Sequence, residues 1–283
     1  MDITEIIKNA FLFPSKNLET LSIYAILSVL SGAFAIEGIV ICIFGIIDVW
    51  NFLIGGICIV IAVIIGLITR RISIQCVKSG IELEEKLPDF NWWQSFGTGF
   101  SKVIITIFYF IVPALIVVLI GFITNIYGDI IYLGQVIVSQ APNMIIGNSA
   151  VEDVIYQASF PLLISLAITI SVGLIIFLIF SFFQAMAEAR LAHNGSLKQA
   201  LNIFGAAKDL TRIGVGKVIL LSILIFVIVS IIEIILTVIF DHLLVLSILS
   251  IVITPYLALF GQRCLGLLDS DRDSLLNYTF FFF

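Results

Sequence analysis

Long apolar runs separated by short polar segments set the pattern of this sequence. A helix needs about 20 predominantly apolar residues to cross a bilayer. Six runs reach or approach that length, at about 20–47, 51–69, 103–124, 160–183, 217–240 and 243–262. The pattern therefore predicts six membrane-spanning helices.

The boundary between the first two runs is not marked by a polar loop. Apolar sequence extends from Leu21 to Thr69 and contains only two charged residues, Glu37 and Asp48. We place two spans in this stretch, joined by a tight turn at residues 48–51. A re-entrant segment over Gly38–Ile47 is the alternative interpretation.

Proline residues mark three of the remaining runs. Pro161 stands at the start of the fourth predicted span, a position where proline is tolerated. Pro113 and Pro255 lie inside the third and sixth spans, where we expect kinks. A structural role for these kinks is favoured over the lining of a cavity. The segment 125–159, which precedes the fourth span, is predicted to hold a short amphipathic helix.

Three amphipathic segments each precede a pair of predicted spans. In Asp2–Phe11 the apolar residues recur at i, i+3, i+4, i+7 and i+8, and Phe13-Pro14 ends the pattern. The other two segments are Asp89–Phe100 and Leu197–Arg212. Helices with this pattern lie in the headgroup layer of a membrane. We therefore predict three interfacial helices on one side of the bilayer.

The third amphipathic segment has the clearest boundaries. Asn194-Gly195 predicts the end of the preceding helix, because glycine readily takes the left-handed conformation. Ser196 and Gln199 have the spacing of a capping box that begins a new helix. The predicted apolar face consists of Leu197, Ala200, Leu201, Phe204 and Ala207. The predicted polar positions are Lys198, Asn202, Asp209 and Arg212.

Composition places the whole chain in a membrane. Of its 283 residues 61% are hydrophobic and 12% are charged, and the mean hydropathy is +1.22. A soluble domain is about half apolar and about a quarter charged. No soluble fold could bury this much apolar surface, so the sequence predicts an all-α integral membrane protein, a six-helix bundle.

The cations are distributed asymmetrically. All 14 Lys and Arg residues lie before the first span, between spans two and three, between spans four and five, or after span six. The other three connections contain none. Positively charged loops face the cytoplasm. We therefore predict a multi-pass protein of the cell membrane with both termini and the three interfacial helices on the cytoplasmic side.

This layout predicts one membrane domain, residues 1–268, followed by a cytoplasmic tail, residues 269–283. The domain would consist of three hairpins, at about 1–80, 81–195 and 196–268. Each hairpin closes with an arginine followed by a glycine: Arg71 and Gly80, Arg190 and Gly195, Arg263 and Gly266. A threefold structural repeat explains this recurrence, and so does the positive-inside rule alone. The apolar end of the tail is expected to enter the inner leaflet, to dock on a partner or to be disordered.

Several short motifs carry a resemblance to a known family. They are Leu87-Pro88-Asp89-Phe90 with Trp93 and Gly99, Ala189-Arg190 with Gly195 and Ala200, Gly214-Val215-Gly216-Lys217, and Pro255-Tyr256 with Arg263. Together they resemble the Domain of Unknown Function 4013 family, six-span proteins found mainly in archaea and some bacteria. The apolar stretch from Leu21 to Thr69 is longer than this family leads us to expect. The resemblance implies the fold and the membrane location, but no activity.

Two acids inside the predicted spans are the sharpest candidate site. Glu37 and Glu233 lie at similar depth on spans that run in the same direction, with no Lys or Arg at that depth. Intramembrane acids often mark ion or proton paths. The functional hypothesis is a proton or cation site between the first and third hairpins. The favoured alternative has Glu37 reaching the outer interface and Glu233 hydrogen-bonded to Thr237 or to backbone.

Two further groups are predicted to have structural roles. Glu188 and Arg190 flank the end of the fourth span, and Glu188 is expected to pair with Arg71 or Arg263 in a clamp at the inner face. Trp92 and Trp93 are expected to anchor the chain at headgroup depth, as aromatic residues do at membrane interfaces.

No catalytic signature was found. The chain lacks HExxH and GxSxG, and Val218 follows Gly214–Lys217 where a phosphate loop would carry Ser or Thr. The four widely spaced cysteines predict neither disulfides nor a metal site, and we expect no cofactor and no nucleic-acid partner. The expected partners are membrane lipids, with a homo-oligomer or a membrane-protein partner left open. The sequence thus favours a non-catalytic membrane-organising or partner-binding protein, with a proton- or cation-linked transporter or channel as the alternative.

Overall fold

The computed structural model of the protein describes residues 1–44, 49–85, 95–145, 150–240 and 247–280. Within these ranges the regular structure is helical, with no strand. The α-helices are α1 (Ile3–Leu12), α2 (Leu18–Phe44), α3 (Val49–Ile81), α4 (Ser95–Ile123), α5 (Ile126–Ile145), α6 (Ala150–Asn194), α7 (Leu197–Ala200), α8 (Ile203–Ile213), α9 (Val215–Phe240) and α10 (Ser247–Phe280).

Six of these helices are long and apolar enough to cross a membrane, which confirms the predicted number of spans. In the described part of the chain the spanning segments are Leu18–Phe44, Val49–Ile81, Phe96–Ile123, Val151–Asn194, Val215–Val238 and Ile251–Ser270. The protein is therefore a helical, multi-pass membrane protein. The second span continues beyond its predicted end at residue 69, because α3 buries Arg71, Ile72 and Cys76 in its last turns.

The first hairpin consists of two full helices. α2 runs without interruption through Gly38 to Phe44, so the re-entrant alternative is wrong. Gly38 and Gly55 let α2 and α3 approach closely, since a Cβ on either would lie within 2.9 Å of the other's carbonyl oxygen. Residues 45–48 of the predicted turn lie outside the described residues. Val49–Asn51, which were assigned to that turn, form the start of α3.

The fourth span also begins earlier than predicted. α6 starts at Ala150 and continues through Pro161, which therefore lies inside the helix rather than at its start. A proline in this position removes one backbone hydrogen bond, a loss that a long helix tolerates when its neighbouring turns remain bonded. The preceding segment, in which a short amphipathic helix is predicted, contains the 20-residue helix α5.

The amphipathic segments agree with the predictions only in part. α1 is helical as predicted, with the Asp2 carboxylate accepting a hydrogen bond from the Ile3 N–H at 2.8 Å, and it ends before Pro14. In the second segment residues 89–94 lie outside the described residues, and Phe96 and Phe100 belong to α4 rather than to a separate helix.

The third amphipathic segment is two helices rather than one. Gly195 has φ +64° and ends α6 as predicted, but the Ser196 side chain makes no capping hydrogen bond to α7, so the capping box is wrong. The helix is interrupted at Leu201 and Asn202, and the Asn202 side chain caps α8 by accepting from the Gly205 N–H at 3.0 Å.

This break changes which residues of the segment are buried. Phe204, assigned to the apolar face, is 89% exposed, whereas Asp209, assigned to the polar face, is buried. The buried face of α8 consists of Ala206, Asp209, Leu210 and Ile213. A single helix would have kept the predicted phase, so the correction follows from the break.

The helices form two compact units, each described here by itself. Unit 1 comprises Met1–Thr106 and Phe183–Phe283. In it α10 packs along α3 and also contacts α1, α2, α8 and α9. Its core includes Phe13, Leu21, Tyr24, Ile72, Cys76 and Leu259.

Unit 2 comprises Ile107–Phe182, where α4 and α6 meet through aromatic and small residues. The rings of Phe110 and Phe177 lie 5.6 Å apart, and Gly173 faces Val117. A small polar cluster fixes α5 beside them: the Ser165 hydroxyl donates to the Asp129 carboxylate, while the hydroxyls of Thr124 and Thr169 lie 2.9 Å apart.

Candidate functional site

Buried charge is concentrated in unit 1, at the helix ends that carry Arg71, Lys78, Lys102, Arg190 and Arg263. We call these ends the basic end. The buried charged residues of the described chain are Arg71, Lys102, Glu188, Asp209, Arg263 and Asp269. Charges excluded from water are costly unless they are paired or hydrogen-bonded. The partners of these groups therefore show which helices the basic end joins.

An ion pair joins α4 to α6. The Lys102 ammonium lies 3.0 Å from the Glu188 carboxylate, and the two side chains are 9% and 6% exposed. The Gln184 amide donates to the same carboxylate at 2.9 Å and also lies 3.2 Å from the Thr106 hydroxyl. These amide contacts satisfy polar atoms that the pair alone would leave without partners.

A second ion pair joins α6 to α8. The Arg190 Nε lies 3.2 Å from the Asp209 carboxylate, and Nη1 donates to the Asn202 carbonyl oxygen at 3.3 Å. The guanidinium packs directly against Gly205, where a Cβ would fall 1.7 Å from Nη1. A side chain at this position would therefore displace the guanidinium from its present place.

Arg263 ties α10 to α3 and to the N-terminal segment. The residue is 2% exposed. Its guanidinium donates to the Ser79 hydroxyl at 3.0 Å and to the Glu84 carbonyl oxygen at 2.6 Å. The guanidinium carbon also lies 3.9 Å from the centre of the Phe13 ring, in a cation–π contact. One side chain thus holds three parts of the chain together.

The approach of α3 and α10 depends on two glycines. A Cβ on Gly266 would lie 2.1 Å from the Val77 carbonyl oxygen, and a Cβ on Gly80 would lie 2.8 Å from the Gly266 Cα. The glycines that close the first and third hairpins in the sequence are therefore in direct contact. Gly195, the third member of that pattern, has open space around it and instead serves as a helix stop.

The N-terminal helix also docks on the basic end. The Phe11 ring makes edge-to-face contacts with Tyr256 and Phe260, at centroid distances of 5.8 and 5.7 Å. The Tyr256 hydroxyl donates to the Phe11 carbonyl oxygen. Lys217, which ends the Gly214–Lys217 motif, donates to the Met1 carbonyl oxygen at 2.9 Å.

The predicted inner-face clamp has different partners from those expected. Glu188 was expected to contact Arg71 or Arg263, and it pairs instead with Lys102. Arg190 pairs with Asp209, a residue that the sequence placed on a solvated face. Lys102 directly precedes the third apolar run, so the sequence predicts that it lies where a helix enters the membrane. Its position does not predict which residue it pairs with. Partner choice depends on which helices adjoin, and spacing along one helix does not specify this.

A polar cavity of about 440 Å³ opens at the basic end between α3, α4 and the end of α6. Its polar lining includes Arg71, Gln75 and Lys78 from α3, Thr98 from α4, and His193 and Asn194 from α6. The sequence predicts no site here, although the spacing of Arg71, Gln75 and Lys78 places them on one face of a helix.

The two intramembrane acids are placed apart. Glu37 on α2 and Glu233 on α9 both have exposed side chains. Among the described contacts α2 packs on α3 and α10, whereas α9 packs on α1, α8 and α10. Thr237 donates at 2.8 Å to the backbone carbonyl oxygen of Glu233, not to its carboxyl group. The described contacts do not assemble the two acids into one site.

Two further predictions concern the tryptophan anchors and metal binding. Trp92 and Trp93, the predicted interfacial anchors, lie outside the described residues. Among the residues that the structure describes, no three His, Cys, Asp or Glu side chains converge as metal ligands would.

Comparison with known proteins gives one match. A family model described as "Protein of unknown function (DUF4013)" matches residues 54–240, more than half of the 283 residues. The matched region contains most of α3, all of α4 to α9, and the cavity at the basic end. No curated protein and no solved structure matches the chain.

Proposed function

Because the chain belongs to the DUF4013 family of proteins of unknown function, we propose a function from its own geometry. The protein is a non-catalytic membrane protein whose basic end organises the lipids around it. The observation that carries this proposal is the location of buried charge. The buried charged residues of the described chain lie at the basic end, where Lys102, Glu188, Asp209 and Arg263 join helices, while Glu37 and Glu233 are exposed.

The surface of the basic end supports contact with lipid headgroups. Apolar side chains are exposed there beside cations: Phe204 is 89% exposed on α8, next to the exposed Lys208 and Arg212. Exposed Lys8 lies on α1, near Leu12, which is 51% exposed. Helices with exposed apolar residues between cations bind anionic membrane surfaces.

The same proposal assigns the orientation. The basic end lies at the cytoplasmic face of the cell membrane, with both termini inside, because cations are retained on that side. Single cysteines introduced at Ser15 and at Asn125, in a chain lacking its four native cysteines, test this in intact cells with a membrane-impermeant thiol reagent. We expect labelling at 125 and none at 15. Labelling at 15 would overturn the assigned orientation.

The function is tested by measuring lipid enrichment and ion flux on the same preparation. The protein is reconstituted into vesicles of phosphatidylcholine with a minority of phosphatidylglycerol, and energy transfer from its tryptophans to a labelled phosphatidylglycerol is measured. We expect enrichment of the anionic lipid above the vesicle average, and no proton or cation flux under an imposed gradient. Absence of enrichment would contradict the proposal.

The transporter alternative has its own readout in the same vesicles. Flux above that of protein-free vesicles, abolished by Glu37→Gln combined with Glu233→Gln, would replace the proposed function with transport. The matched control is Glu19→Gln at the start of α2, which removes a carboxylate outside the apolar part of the span.

A further inference from the structure

A groove runs between α2 and α3. It has a volume of about 320 Å³, at the lower end of the range of about 300–1,000 Å³ typical of small-molecule sites. The small residues that form it are Ser31 and Ala35 on α2 and Ala62 and Gly66 on α3, each pair one helical turn apart. Val103 of α4 adds a third wall. Small side chains on the two helices thus leave a space that larger ones would fill.

The interior of this groove is apolar. The Ser31 hydroxyl in its lining donates to the Ala62 carbonyl oxygen at 3.0 Å. Apart from Ser31 and Arg70, the described residues that line the groove are aliphatic or glycine. A polar ligand here would lose its hydrogen bonds to water without gaining new ones, which is costly. The groove therefore suits an apolar chain.

The length of the groove matches one leaflet of a bilayer. Its lining on α3 extends from Ile59 to Arg70, a rise of about 16 Å at about 1.5 Å per residue. The hydrocarbon core of a bilayer is about 30 Å thick, so one leaflet contributes about half of it. The described lining residues lie at least one turn inside α2, α3 or α4. A groove of this length accommodates a single acyl chain of one leaflet.

One end of the groove carries a cation. Arg70 lies at the end that adjoins the basic end, and its side chain is exposed. It takes no part in the ion pairs between described residues, and the described lining contains no carboxylate. At the opposite end the lining consists of Ile39 and Ile59. A guanidinium at headgroup depth attracts phosphate oxygens, so the groove has the polarity of a phospholipid, with its charge at one end.

We propose that this groove holds one acyl chain of an anionic phospholipid from the leaflet at the basic end. The phosphate lies beside Arg70, and the chain extends along α3 toward Ile39 and Ile59. The inference rests on the proposed function, for which it names the ligand and its site. Because only one end of the groove is charged, the lipid enters in one orientation.

The test locates a labelled lipid chain on the full-length protein. The vesicles contain phosphatidylcholine and a small, varied fraction of phosphatidylglycerol with a photoreactive diazirine near the end of one acyl chain. After illumination, tandem mass spectrometry of proteolytic fragments locates the crosslinked residues. We expect saturable crosslinking at the apolar end of the groove, near Ile39 and Ile59. Phosphatidylcholine with the same labelled chain should crosslink there less at an equal fraction.

Two variants test the two parts of the site. Ala35→Phe fills the groove, and saturable crosslinking there should be lost. Arg70→Glu reverses the charge at its end, and the fraction of labelled phosphatidylglycerol that gives half-saturation should rise at least about fivefold. Arg70 is exposed, so its variant is compatible with folding, and a thermal unfolding curve of each variant checks this.

Each variant has a matched control. Ala33→Phe adds the same ring at an exposed position of α2 outside the groove. Lys198→Glu reverses a charge at an exposed position of α7, also outside the groove. Both are expected to leave half-saturation within about twofold of the wild-type value, since the added ring meets only lipid and a distant charge is screened.

The outcomes separate this site from the proposed function. Crosslinks spread evenly over the lipid-facing helices, or none at the groove, as when a second copy of the chain covers it, would overturn the inference. Equal crosslinking of the two lipids, or equal effects of Ala35→Phe and Ala33→Phe, would do the same. If the anionic lipid is enriched in the energy-transfer assay but is not crosslinked at the groove, the proposed function stands and this inference falls. Saturable crosslinking at the groove without such enrichment, or together with ion flux, would remove the proposed function and leave the groove as a lipid site.

Discussion

α10 and α2 both cross the membrane, yet only one of them lies inside the protein. Among the described residues, the most apolar 18-residue stretch within Ile251–Ser270 of α10 has a mean hydropathy of 1.5 and is half buried, whereas that of α2 has a mean hydropathy of 2.3 and is 6% buried. Of these two stretches the less apolar is the more buried. Lipid tails are as apolar as leucine, so apolar side chains gain little by leaving lipid for protein.

What holds α10 in the interior is a different set of contacts. Gly266 permits backbone approach to α3, Arg263 makes polar contacts on three sides, and Leu259 fills the core. On α2 most large apolar side chains face outward, and its close contact with α3 is again made through a glycine, Gly38. In this protein hydrophobicity places the helices in the membrane, while small and polar residues decide which of them touch.

The largest effect is expected from breaking the buried ion pair. Glu188→Gln leaves the Lys102 ammonium buried without its counter-charge, and we expect a loss of about 3–5 kcal/mol in unfolding free energy. The measurement is denaturant unfolding in mixed micelles. Glu82→Gln breaks the exposed pair with Lys78 and is expected to cost less than about 0.5 kcal/mol.

A double variant identifies the cause of that loss. Adding Lys102→Gln to Glu188→Gln removes the unpaired charge and should recover part of the stability. If Glu188→Gln, Lys102→Gln and the double variant lost equal stability, or if Glu188→Gln behaved like Glu82→Gln, polar contacts would not be what holds the basic end together.

Matched leucine truncations test the comparison of the two helices directly. Leu259 on α10 is fully buried, and Leu30 on α2 is 42% exposed. Leu259→Ala leaves a cavity that lipid cannot fill, and we expect a loss of about 3 kcal/mol. At Leu30 the surrounding lipid or detergent replaces the lost methyl groups, so Leu30→Ala should cost less than about 1 kcal/mol. Equal costs in micellar unfolding would show that α2 is as enclosed as α10.

The predictable part of this fold is the part that depends on local sequence. The six spans follow from the length of the apolar runs, and the end of α6 follows from Gly195. α1 follows from its apolar period and its break at Pro14. In each case the residues that determine the feature lie within the feature itself.

The unpredicted part depends on tertiary neighbours. Pro161 continues a helix because the turns on either side remain apolar and helical. The break between α7 and α8 turns Asp209 inward to meet Arg190, which lies on another helix. For the same reason the prediction that Glu188 pairs with Arg71 or Arg263 is wrong, and Glu188 pairs with Lys102 instead. The cavity at the basic end likewise combines residues from three helices.

A smaller effect is expected where α3 meets α10. In Gly266→Ala the added Cβ would overlap the Val77 carbonyl, which is backbone and cannot rotate away, so the helices must separate. We expect a loss of about 2 kcal/mol in unfolding free energy. Gly261→Ala on the same helix meets nothing within 4 Å and should be neutral or slightly stabilising. A neutral Gly266→Ala would mean that close backbone contact is not what fixes α10 in the interior.

The smallest effect concerns the ring under Arg263. Phe13→Leu keeps an apolar side chain at a fully buried position but removes the ring face that lies 3.9 Å from the guanidinium carbon. We expect a loss of about 1 kcal/mol, the size of a partly desolvated cation–π contact. Phe204→Leu, at an 89% exposed position, makes the same chemical change and should cost nothing measurable in micelles. Because the Ser79 and Glu84 contacts of Arg263 remain, a loss much larger than this would mean that Phe13 holds α1 to α10 by its volume, and that the polar contacts of Arg263 are secondary to it.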